Sequence, residues 1–268
     1  MLESFFAARS SQCSVTEAVP PITLLSGPRS CGKTSILFQF AINRARESRG
    51  NVVFICNKRR LEYKPPFLSQ DGDPSADVLE RIEMKYIEDY NGMMKYFAAF
   101  HLHKTFPAAI VIDDFEDHFI DRTCKQRYGN ARGRDLAMAR CLALCRDAIL
   151  HANQKLEDQA SCKLLLADTH QGDNPRLLFI YKRWVHCILT IHGDVNGFFI
   201  LKNSNVSSNA LETRRARYSI ALQSLLLEAI LESSAKSDEQ SLPVSTDQGA
   251  NTGEAIDTAT TVRFVDGI

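Results

Sequence analysis

The sequence has no apolar run of membrane-spanning length and no basic N-terminal segment leading into a long apolar stretch. Both absences argue against membrane insertion and secretion. It has no C-x-x-C pair either. Its eight cysteines (Cys13, Cys31, Cys56, Cys124, Cys141, Cys145, Cys162 and Cys187) are scattered, which fits free thiols in a reducing compartment better than a disulfide framework or a zinc site. Cys141 and Cys145 lie one helical turn apart, a spacing common to most core residues, and it does not make a metal site. Net formal charge is also absent, but the balance is uneven. Residues 233–268 carry two basic side chains (Lys236, Arg263) against six acidic ones, so a neutral total leaves +4 on the remainder. That C-terminal stretch is rich in Ser, Thr, Gly, Asn and Gln and has little to bury, and it reads as a disordered acidic tail. The composition suits a soluble intracellular protein with a short N-terminal segment (1–20), one core (21–232) and the tail (233–268).

What is present is led by Gly27-Pro28-Arg29-Ser30-Cys31-Gly32-Lys33-Thr34, a complete G-x-x-x-x-G-K-[ST] signature directly after the apolar run Ile22–Leu25 and running into a helical pattern from Thr34, with nucleotide contact expected from Gly27 through Ser35. A strand leading into a tight turn and then a helix brings successive backbone N–H groups and the positive helix end onto phosphates. Lys33 would reach the β- and γ-phosphates of ATP, and Thr34 would give its hydroxyl to Mg2+.

From residue 21 onward, apolar runs alternate with helical patterns, as in a mostly parallel sheet flanked by helices. Strands are expected at 22–25, 51–56, 82–87, 108–114, 163–167, 187–192 and 197–201, with a further one at 218–222. Helices are expected at 34–46 and 91–103, and a long one from about Asp135, where Met138, Leu142, Cys145 and Ile149 form one apolar stripe. The run Ile110–Ile112 closes in Asp113. A carboxylate at the C-terminal edge of a parallel strand lies beside the phosphate loop and can hold the water shell of Mg2+.

With both nucleotide motifs in place the chain resembles the α/β core of RecA-like P-loop NTPases, the recombinases and their paralogs. The loop at 27–34 is close to the bacterial RecA version. Asp121-Arg122-Thr123, Arg127-Tyr128-Gly129, Arg132-Gly133-Arg134 and the helix from Leu136 to Arg140 are similar to the first DNA-binding loop and following helix of eukaryotic recombinases. Ser35–Ala41, Asn51–Ile55, Arg59-Arg60-Leu61, Leu79–Ile82 and Lys85-Tyr86 look like the small recombinase-paralog ATPase family that partners a SWIM-type zinc-finger protein. That family lacks an N-terminal helical domain, and about twenty residues precede the first strand here. The resemblance implies single-stranded DNA binding, weak ATP hydrolysis and support of homologous recombination and DNA repair in the nucleus with the SWIM-domain partner.

The sequence departs from full recombinases where hydrolysis is driven. They carry a glutamate shortly after the second strand, whereas here Ile55 is followed by Cys56-Asn57-Lys58, and a charged lysine cannot be the base. Asp114 or Glu116 could substitute. Asp168, Thr169, His170 and Gln171 are the candidates for a polar γ-phosphate sensor, with Thr169 preferred. Residues 122–134 hold Arg122, Lys125, Arg127, Arg132 and Arg134 with no acidic residue among them, and such a loop can neutralise several phosphates without reading sequence. Lys58, Arg59 and Arg60, the Lys182-Arg183-Trp184 group, and Arg214, Arg215 and Arg217 are read first as solvated charge, and Trp184 as a helix anchor. Phe5 and Ala8 form the Phe-x-x-Ala pattern by which RecA-like recombinase subunits grip one another. The same pattern recurs at Phe38–Ala41, where it must be core. Two alternatives to a DNA-stimulated ATPase remain: a catalytically degenerate nucleotide-binding scaffold for protein partners, and a small-molecule phosphotransferase using the basic loop as a lid.

Overall fold

In the computed structural model, residues 1–7, 19–48, 50–69, 74–156, 161–170, 177–194, 196–204 and 212–234 are described. They belong to a unit spanning Met1–Ala235; a second unit, Lys236–Ile268, lies outside them, and with it nearly all of the expected acidic tail. In chain order the elements are β1 (Ile22–Gly27), α1 (Lys33–Glu47), β2 (Val52–Cys56), α2 (Lys58–Tyr63), β3 (Leu68–Ser69), α3 (Ala76–Glu80), β4 (Ile82–Tyr86) and α4 (Tyr90–Ala98). They continue with β5 (Ala109–Ile112), α5 (Asp117–Ile120), α6 (Arg122–Arg127), α7 (Ala131–Lys155), β6 (Lys163–Thr169), α8 (Leu178–Trp184), β7 (Cys187–Gly193), β8 (Phe199–Asn203), β9 (Glu212–Ala221) and β10 (Ser224–Ser234).

The strands form one sheet in the order β3-β10-β9-β8-β7-β1-β6-β5-β2-β4. The half from β7 to β4 is parallel, while β7, β8, β9 and β10 pair antiparallel in succession. The sheet is therefore mixed, more so than the alternation of strand and helix patterns suggested. Central strands β1, β5 and β6 are near-continuous apolar runs because both their faces are covered. Successive side chains part to opposite faces. Leu24, Ile110, Ile112, Leu164 and Leu166 pack with α4, α7 and α8, whereas Leu25, Val111, Leu165 and Ala167 pack with α1 and the N-terminal residues.

Three sequence expectations are corrected. The basic stretch 122–134 is not a loop. Asp121 accepts from Thr123 N at 3.2 Å and Cys124 N at 2.8 Å to start α6, and Asn130 accepts from Gly133 N at 2.7 Å to start α7, four residues before Asp135. The strand expected at 218–222 is one arm of a hairpin whose other arm, β10, went unread. Its turn is made by Leu222 and Gln223 at φ 50 and 60, the left-handed conformation a two-residue hairpin needs but without the Asn-Gly or Asp-Gly that normally signals it. Residues 1–7 of the N-terminal segment pack on the core. Phe5 and Phe6 are buried, Phe5 stacks on Phe40 with ring centroids 5.3 Å apart, and Asn43 Nδ2 donates to the Ser4 and Phe6 carbonyls. Phe5 is thus as internal as Phe38–Ala41 was expected to be; Ala8 and Cys13 lie outside the described residues. The seven other cysteines are buried free thiols.

Candidate nucleotide site

The loop between β1 and α1 is shaped by its glycines and by the sheet beneath it. Gly32 has φ 82, a left-handed conformation, and a Cβ there would come within 2.5 Å of Ile220 Cδ1. At Gly27 a Cβ would meet Cys31 Sγ at 2.8 Å and Ile191 Cβ at 2.9 Å. Ser30 adopts φ 62 in the same turn. From β9, the Tyr218 hydroxyl donates to the Cys31 carbonyl at 2.7 Å and pins the loop from below. Tyr218 and Ile220 are site-supporting residues that sequence reasoning missed, because only the sheet order brings β9 beneath the loop.

Lys33 is buried and its Nζ donates to the Gly27 and Pro28 carbonyls at 3.1 and 2.8 Å, so its charge is held inside the turn. Thr34 Oγ1 donates to Asp113 Oδ2 at 2.8 Å, joining the start of α1 to the end of β5 across 79 residues. Burial, then the neighbouring Asp114, pushes the Asp113 carboxyl up to about 7, against the lowering effects of Thr34 and Lys33. A hydroxyl and a carboxylate are hard oxygen donors of the kind Mg2+ takes, and a buried carboxylate that resists ionisation is one a cation would relieve. The residues present therefore fit the metal. Ser35 Oγ accepts from Phe67 N at 2.9 Å and anchors the chain that walls the site.

A cavity of about 700 Å3 lies over the loop, bordered by Arg29, Lys33, Thr34, Asp114, Thr169 and Ile220. A second, of about 520 Å3, includes Thr34, Asp113, Asp114, Asn57 and His118. Both volumes are in the range of small-molecule sites. Of the two carboxylates considered as water-orienting bases, Asp114 borders both cavities and Glu116 borders neither. Glu116 instead hydrogen-bonds Asp168, which also accepts from Tyr181 OH at 2.8 Å. His170 Nδ1 is 2.7 Å from Ser26 Oγ, leaving Thr169 as the sensor candidate that borders the cavity over the loop; Gln171 lies outside the described residues.

Burial first, then Glu116, raises Asp168 to about 7. A carboxyl so raised binds its proton in the folded state while the unfolded chain has released it. Stability is then full below about pH 4 and lost as pH rises toward 7. Asp168→Asn is expected to flatten this dependence and to stabilise the protein at pH 8 by on the order of 1 kcal/mol. Thermal unfolding of both proteins from pH 5 to 8 measures it; parallel curves would remove Asp168 as the titrating group.

The basic residues chosen for DNA contact lie together on α6 and the first turns of α7. Arg122, Lys125, Arg127 and Arg132 are exposed and Arg134 is half-buried. Among the described residues none of them has an acidic partner, and Arg127 donates to Asn91 Oδ1 at 3.2 Å. Several of the other basic groups are engaged, though no acidic partner is seen for Arg59, Lys182, Arg183 or Arg215 among the described residues. Lys58 pairs with Glu62, Arg214 with Glu3 at 3.0 Å, and Arg217 with Asp194 at 3.5 Å; Trp184 packs on the core. Arg60, read as solvated, is ion-paired with Asp114 and Asp117.

No protein-family model matches the chain. Over 151 residues, 56% of its length, it is 27% identical to the ATPase SWSAP1 of Mus musculus, covering 49% of that protein. It is 26% identical over 151 residues to the ATPase SWSAP1 of Homo sapiens, covering 60% of it. The chain thus spans about half the length of the curated relatives it matches.

Proposed function

We propose that this chain is a Mg2+-dependent ATP-binding protein with a RecA-like core, a slow ATPase that binds single-stranded DNA. In this reading it supports homologous recombination and DNA repair in the nucleus beside a SWIM-type zinc-finger partner. The observation that carries the nucleotide half is the hydrogen bond from Thr34 to Asp113 at 2.8 Å, which unites the two motifs that nucleotide binding requires. Similarity to proteins named ATPase supports the same half. The DNA half rests on the exposed cluster from Arg122 to Arg134 and on the resemblance to recombinase paralogs.

The chain's own residues divide the work. Backbone N–H groups of 29–34 and the N-terminal end of α1 face the phosphates, and Lys33 adds a full charge to them. Thr34 and Asp113 would hold Mg2+, which when bound offsets the negative charge of the phosphates. Asp114 stands at the cavity wall where it can accept a proton from an attacking water. Thr169 offers a hydroxyl at the next strand end.

Titration calorimetry with ATP tests this. Binding should be tighter with Mg2+ than without it in the parent protein, and Asp113→Ala should weaken Mg2+–ATP binding about tenfold or more while leaving the weaker metal-free binding unchanged. Equal metal dependence in parent and variant would refute the metal assignment. A second reading, a nucleotide-binding scaffold with incidental hydrolysis, draws support from Asn57-Lys58 standing where recombinases keep a glutamate and from Asp114 being tied to Arg60.

A further inference from the structure

Arg60 occupies an unusual position for a side chain that is 59% exposed. The helix that carries it, α2, starts two residues beyond β2, and Asn57 Oδ1 accepts from Arg60 N at 3.3 Å, fixing where the side chain departs. The side chain borders both cavities, the one over Lys33 and Thr34 and the one containing Asp113. Its Nη1 donates to Asp114 Oδ2 at 2.6 Å and also meets Asp117. Both carboxylates use the same nitrogen, and Nε and Nη2 have no hydrogen-bond partner among the described residues.

We propose that Arg60 is a phosphate-sensing arginine supplied by the chain itself: paired with Asp114 and Asp117, it can exchange them for the terminal phosphate of a bound nucleoside triphosphate. This rests on the nucleotide reading above and adds to it a way to tell a triphosphate from a diphosphate. A guanidinium matches carboxylate and phosphate with the same planar fork, so the two compete for it directly. Its present hold is weak, because ion pairs this open to solvent contribute about 0–1 kcal/mol. One arginine faces two carboxylates there, with Asp113 behind them, and a triphosphate arriving beside that acidic group raises the demand for a mobile cation; Arg29 and Lys64 also border the cavity over the loop, but Arg60 is the one held by the carboxylates. The move also frees Asp114. Its backbone, at φ 48, is fixed by its own N–H donating to Asp113 Oδ1 at 3.1 Å, so the released carboxylate stays at the cavity wall, able to hold a water. Binding of the triphosphate thereby exposes the base that hydrolysis needs.

The test compares ADP with a non-hydrolysable ATP analogue, both with Mg2+, by calorimetry on the full chain. Arg60→Ala is expected to lose about tenfold in affinity for the analogue and less than about twofold for ADP. Arg60→Lys keeps the charge without the fork and should fall between. Asp117→Asn removes one competitor and should strengthen analogue binding, a gain that a misfolded protein cannot give. Equal losses for both nucleotides, or no change in any variant, would make Arg60 a surface brace and overturn the proposal. In that outcome the parent still binds nucleotide. Should the parent bind neither, the nucleotide reading itself falls, and this inference with it.

Discussion

Replacing Lys33 with Ala is expected to lower ATP affinity by about a hundredfold or more, because each charge-assisted contact to phosphate contributes about 1.5–3 kcal/mol and Lys33 reaches two phosphates. The geometry makes this a demanding test. Lys33 Nζ already sits among the loop carbonyls of Gly27 and Pro28, inside the turn whose N–H groups would receive the nucleotide, whereas Lys64, which also borders the cavity, lies outside that turn. The variant removes the Lys33 donor from both carbonyls, Gly27 O keeping the His170 N–H at 3.2 Å, and thermal unfolding must accompany the binding measurement. A folded Lys33→Ala protein that binds ATP as the parent does would remove the phosphate-loop assignment and the functions built on it.

The second large effect concerns DNA. Reversing Arg127, Arg132 and Arg134 together to Glu is expected to abolish binding to single strands while ATP affinity is retained, because α6 and the start of α7 are separate from the loop at 27–34. The parent should lose affinity with added salt, the slope of log K against log salt lying near −2 to −3.5 for three to five neutralised phosphates at about 0.7 each. Binding should differ little among sequences, since these side chains meet phosphates rather than base edges. Arg214, Arg215 and Arg217 changed together to Ala provide the comparison, two of them being occupied by Glu3 and Asp194. If that control loses DNA while the reversed cluster retains it, the contact surface lies on β9. If neither variant alters binding and the parent shows no salt dependence, the scaffold reading replaces the DNA-binding one.

The helical start of the basic segment changes how such contact is made. As an open loop, residues 122–134 would present backbone as well as side chains to a strand. As two helix beginnings separated by Tyr128–Asn130, they present side chains from a fixed surface. Tyr128, half-buried with its hydroxyl 3.3 Å from that of Tyr90, is a less available stacking platform than a loop tyrosine would be. The salt dependence expected above is unaffected, because it counts charges and not their scaffold.

Several features were legible in the sequence because near neighbours set them. The phosphate loop needs glycine where the backbone turns left-handed and an apolar strand before it, and both are written within fifteen residues. The strands at β1, β2, β5 and β6 were legible for a related reason: burial on both faces demands an uninterrupted apolar run. Other features arise only when distant segments meet. Thr34 finds Asp113 because β6 alone separates β1 from β5, and Arg60 finds Asp114 and Asp117 because β2 lies beside β5 with α2 leaving its end. Neither pairing has a local signature. The hairpin of β9 and β10 escaped notice because its turn uses Leu222 and Gln223, and Tyr218 could not be tied to the loop until the sheet order placed it there. Local backbone preference thus determined where the glycine-bounded loop forms. The packing of strands side by side decided which charged groups surround it.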